Sequence, residues 1–149
     1  MKFSLWRQYG ALNSGQVFDA FANSLLAAGH DVSDNDRVSD VDVIWSVLWN
    51  GRMAPNKSIW DDNKKSKKPT IVLEVGGIKR GITWKVALNG INRDAYFSPS
   101  NNNSDRAKQL GLKLQPWRTE GSYILICGQH EKSEQWRGMP NMTAWLGNT

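Results

Sequence analysis

Val41-Asp42-Val43-Ile44-Trp45-Ser46-Val47-Leu48-Trp49 is nearly continuous in apolar residues. A strand covered on both faces reads this way, because both sets of alternating side chains are buried. The run therefore predicts a central parallel strand and, with it, an α/β architecture. Asn50-Gly51-Arg52 leaves its C-terminal end, and Pro55 suits the first turn of a following helix. That helix, about Pro55 to Lys65, carries Ile59 and Trp60 inward. The lysines at its end (Lys64, Lys65, Lys67, Lys68) read as a solvated terminus that complements the helix dipole. Contact with DNA phosphates is the other reading of the same tail.

Upstream, Lys2 to Trp6 reads as a strand, and Gln8 to Gly15 as a glycine-bounded loop. Val17, Phe18, Phe21, Leu25 and Leu26 form one apolar stripe of a helix. Asn13 with Gln16 resembles a capping box, and Ser14 is an alternative N-cap. Gly29 suits a helix end that needs positive φ, and His30-Asp31-Val32 opens a second strand. Strand, loop, helix, glycine, strand is how an α/β domain begins.

Downstream, Thr70 to Val75 reads as another buried strand, ended by Gly76-Gly77. Ile82, Trp84, Val86 and Leu88 alternate with more polar neighbours, predicting a half-exposed strand closed by Asn89-Gly90. Residues 98–104 read as a polar loop, from which Ser104 caps a helix over Asp105 to Leu110. Tyr123 to Cys127 is expected to be a buried strand with an inert core cysteine, followed by a helical start at about Pro140 to Leu146. The expected fold is a Rossmann-like, open, mostly parallel sheet with helices on both faces, in three layers. Residues 1–116 would form that domain. Residues 117–149 would be a connector plus either the last strand of the same sheet or the first βα unit of a second domain cut short.

Composition narrows the function. The chain has 149 residues, of which 40% are hydrophobic and 22% charged, as in globular domains. No apolar run approaches the ~18 residues of a spanning helix. The N-terminus lacks the pattern of a secretory signal, so a cytoplasmic location is expected. One cysteine excludes an intramolecular disulfide framework and a multi-cysteine metal site, and two distant histidines argue against a histidine-rich metal centre. The net charge of +5 favours an anionic partner: a nucleotide, a phosphate or nucleic acid. The eight tryptophans are scattered along the whole chain, which points to packing more than to a stacking platform.

Motifs exclude more than they assign. Gly10-x4-Gly15 is followed by Gln16-Val17, whereas a P-loop requires Lys and Ser/Thr there. The dinucleotide fingerprint and a Gly-x-Ser-x-Gly elbow are also missing. In open α/β sheets ligands bind beyond the carboxyl ends of the strands. This rule selects the loops holding Gly10, Asn13, Ser14 and Gly15; Asn50 and Arg52; Gly76, Gly77, Lys79 and Arg80; and Gly128, Gln129 and His130. Glu74 is the expected proton acceptor, because a carboxylate at a strand end is partly desolvated. A structural pairing with Lys79 or Arg80 is its alternative role. Arg52 and Arg80 suit phosphate through the planar guanidinium fork.

The runs Trp45–Met53, Ile71–Lys85 and Ile124–Gln129 resemble uncharacterised bacteriophage-type proteins of marine sequence collections. These in turn are distantly similar to glycosyltransferases of the two-Rossmann-domain (GT-B) architecture. The resemblance implies an acceptor-holding first domain, a nucleotide-sugar donor substrate and an acceptor hydroxyl on a modified DNA base or a saccharide. It places most of the donor domain outside this chain, which would leave the chain catalytically incomplete on its own. Two other readings stand beside it: a non-catalytic nucleotide- or partner-binding module, and a basic nucleic-acid-binding domain.

Overall fold

The computed structural model describes residues 1–97, 105–128, 130–133 and 136–148, without the side chain at 93. The chain divides into two compact units, Met1–Phe97 and Ser98–Thr149. The first contains β1 (Lys2–Leu5), α1 (Gly15–Ala27), β2 (Asp31–Asp34), β3 (Val41–Trp45), α2 (Asn56–Ser66), β4 (Thr70–Val75) and β5 (Trp84–Leu88). The second contains α3 (Asp105–Gln109) and α4 (Met142–Gly147).

The five strands form one sheet in the order β2-β1-β3-β4-β5. β1 pairs in parallel with β2 and β3, and β3 pairs in parallel with β4. β5 is antiparallel to β4, placing Glu74 opposite Lys85. This is the open, mostly parallel, Rossmann-like sheet expected from the sequence. Its strand order reverses between β1 and β3.

Period-two alternation divides the side chains between two layers. Phe3, Leu5, Val41, Val43, Trp45 and Leu73 pack against Val17, Phe18 and Ala22 of α1. On the other face Trp6, Ile44, Val47 and Val72 pack against Ile59 of α2. Residues 35–40 run from β2 across β1 to β3 without a helix. They are held along β1 by Asp36 N–H donating to Ser4 Oγ (2.8 Å), Asp40 N–H to Lys2 O (2.8 Å) and Lys2 N–H to Asp40 Oδ2 (2.7 Å).

Several expectations are corrected. The central strand stops at Trp45, because Ser46 takes φ +61°, a left-handed conformation that turns the chain out of the ladder. Leu26 of the α1 stripe and Leu48 of the apolar run are exposed. Ser14 occupies the N-cap position of α1, but its hydroxyl donates to Ala11 O (2.7 Å) and caps nothing. Residues 123–127 form no strand, with Ile124 91% exposed, and Cys127 is exposed. The run has β-forming composition but no paired neighbour among the described residues of its own unit to complete a ladder. The predicted loop and cap at 98–104 lie outside the described residues. No helix among the described residues is long and apolar enough to cross a membrane.

Candidate functional site

The carboxyl edge of the sheet carries three loops: 6–14 after β1, 46–55 after β3 and 76–83 after β4. Asn56, the first residue of α2, fastens two of them. Its Nδ2 donates to Trp45 O (2.9 Å) and to Tyr9 O (3.2 Å), bridging the strands on either side of the order reversal. Asn56 is fully buried, and its Oδ1 has no hydrogen-bond partner. Sequence reasoning missed this residue, although an asparagine directly after Pro55 at a helix start was its signal.

Arg7 is a second residue that the sequence did not single out. Its guanidinium lies 2.7 Å from Asp34 Oδ1 and 2.6 Å from Asp19 Oδ1, joining the ends of β1 and β2 to α1. Partial burial opposes its charge, but the bonds to Asp34 and Asp19 outweigh it and hold Arg7 above the usual arginine value. The guanidinium also stands 5.7 Å from the centre of the Phe18 ring.

Glu74 sits half-buried near the end of β4. It shares a face with Val72 and Thr70, the face toward α2. Its Oε1 accepts the N–H of Val75 (2.7 Å). Neither Lys79 nor Arg80 pairs with it, and cross-strand Lys85 donates to Asn92 Oδ1 instead (2.6 Å).

Two of the predicted glycines, Gly10 and Gly76, are set by packing. A Cβ on Gly10 would run into Ser14 Oγ and the Phe18 ring. One on Gly76 would meet the backbone carbonyl and hydroxyl of Thr83, whose carbonyl oxygen accepts Gly76 N–H (2.8 Å). Gly15 and Gly77 face open space. Asn13, Asn50, Arg52, Lys79 and Arg80 are exposed on the three loops. Gly128 and His130 belong to the second unit, where His130 Nδ1 accepts Lys132 N–H (3.1 Å), and Gln129 lies outside the described residues.

The edge thus combines a half-buried carboxylate, free of a cationic partner among the described residues, with exposed guanidinium and ammonium groups on neighbouring loops. Such a set can accept a proton and attract phosphate oxygens. No metal-binding cluster of three or more His, Cys, Asp or Glu exists among the described residues. No family model, curated protein or solved structure matches the chain.

Proposed function

We propose that the first unit is the acceptor-type domain of a nucleotide-sugar-dependent glycosyltransferase, with Glu74 as its base. The observation that carries this reading is the state of Glu74. It is half-buried at the ligand-binding edge of an open α/β sheet, and no lysine or arginine among the described residues neutralises it. In the reaction Glu74 takes the proton of an acceptor hydroxyl as that oxygen bonds to the anomeric carbon. The bond from that carbon to the diphosphate oxygen breaks, and the nucleoside diphosphate leaves with the electron pair. Arg52, Lys79 and Arg80 are exposed positive groups on the loops of this edge. The net charge of +5 suits an acceptor hydroxyl on a modified DNA base, with a saccharide as the alternative.

The test is nucleoside diphosphate release from a panel of nucleotide-sugars, using the full-length protein. Acceptors are a hydroxymethylated DNA duplex and a set of oligosaccharides. Acceptor-dependent release supports the reading, and no release from any donor contradicts it.

A second reading keeps the edge and removes the chemistry: a non-catalytic nucleotide- or partner-binding module. It is favoured by the first turn of α1, where Ser14 leaves the N–H groups without a side-chain cap, together with exposed Arg52 on the loop after β3. Saturable nucleotide binding without turnover would decide for it.

A further inference from the structure

A cavity opens at the opposite, amino edge of the sheet, between the C-terminal end of α2 and the start of β4. The two edges lie at opposite ends of β4, whose six residues span ~20 Å. The cavity measures about 250 Å³, and its wall includes Lys64, Lys67, Lys68, Trp60 and Asn89. We propose that it is a binding site for a small phosphate anion of one or two phosphoryl groups.

The size argues for a group and not a whole nucleotide, since pockets for drug-sized ligands start at about 300 Å³. The charge argues for an anion. Of the three ammonium groups, that of Lys68 is neutralised, lying 2.9 Å from Asp42 Oδ2. Lys64 stands 4.8 Å from the centre of the Trp60 ring, a contact that steers the ammonium without removing its charge. Lys67 caps α2 at φ 59°, a position where glycine or asparagine is the unstrained choice. Lys65, whose charge also complements the α2 dipole, lies outside the cavity wall.

A neutral donor completes the wall. Asn89 Oδ1 accepts Thr70 N–H (2.8 Å), which leaves its side-chain N–H₂ without an acceptor among the described residues. Behind it, Asn63 Nδ2 is held by Asp42 Oδ2 (2.8 Å) and Thr70 Oγ1 (2.9 Å), so the floor is fixed before any ligand arrives.

The experiment is a titration of ¹⁵N-labelled protein with inorganic pyrophosphate at fixed ionic strength. The site predicts saturable shifts of the amides of Lys64, Lys67, Lys68 and Asn89. The double variant Lys64→Gln/Lys67→Asn weakens binding at least tenfold while the sheet resonances stay in place; asparagine keeps the left-handed cap. Lys65→Gln, outside the wall, leaves affinity within twofold. Shifts that never saturate, or equal binding by the double variant, overturn the proposal. A parallel titration with single-stranded oligothymidylate separates the sources of phosphate. Strand binding that falls steeply with salt, alongside unsaturable pyrophosphate shifts, overturns the cavity in favour of an extended basic surface.

Discussion

Asp42 Oδ2 lies 2.9 Å from Lys68 Nζ within the α2 face of the sheet, and Asp42 is only 2% exposed. The carboxylate also accepts from Asn63 Nδ2 (2.8 Å), Ser39 Oγ (2.9 Å) and Trp6 Nε1 (3.0 Å). A buried charge is tolerable when it is paired and fully hydrogen-bonded, and Asp42 meets both conditions. The network ties β3, α2 and the end of β1 into one layer.

Asp42→Asn sets an amide N–H₂ among the donors Lys68, Asn63 and Trp6 and removes the charge that pairs with Lys68. It is expected to cost ~3 kcal/mol, read as a fall in the urea midpoint. Lys68→Met is expected to cost at least as much, because it leaves the buried Asp42 carboxylate without its cation.

Asn56→Ala removes the donor shared by Tyr9 O and Trp45 O. Leaving those carbonyls unpaired is expected to cost ~2 kcal/mol and to raise hydrogen exchange in residues 46–55. Asn56→Asp should cost more, since it buries a charge at the same place. Equal stability of both variants to wild type would remove Asn56 from its fastening role.

The two adjacent glycines after β4 are expected to behave differently. Gly76→Ala drives a Cβ into the Thr83 backbone and should destabilise the β4–β5 hairpin by ~1–3 kcal/mol. Gly77→Ala meets open space and should change the thermal midpoint little. Equal effects at the two sites would mean that close packing on Thr83 is not what requires glycine.

The hydrogen bond from Lys2, together with Val38 N–H, holds the Asp36 carboxyl below its usual range. A depressed folded value means that the contribution is present above the ordinary carboxylate value of about 3.9. It is lost as pH falls through the depressed one. Asp36→Asn should therefore lower stability at pH 6, and the difference from wild type should close as pH falls through that depressed value. A difference that persists at low pH would assign the effect to packing.

The α/β class was legible because Val41–Trp45 is apolar on both faces and because Gly29, at φ +79°, ends a striped helix. The early end of β3 was not, since hydropathy continues through Trp49 while Ser46 turns the backbone away. Trp49 instead meets Trp60 at 6.0 Å. The helix-free crossing at 35–40 rests on short polar side chains, Ser4, Asp36 and Asp40, which carry no hydropathy pattern. Glu74 was readable from its place at a strand end. Asn56 and the Asp42 network were not, because each is a single polar letter whose partners are distant in sequence. Tyr123–Cys127 shows the converse: a strand-like composition needs an edge to pair with.

The most direct test of the central claim compares the full-length protein with its Glu74→Gln variant, following nucleoside diphosphate release at saturating donor. Glutamine preserves shape and the hydrogen bond from Val75 N–H but accepts no proton. The account predicts a turnover lowered ~10²–10⁴-fold with acceptor affinity retained. Unchanged turnover would contradict it.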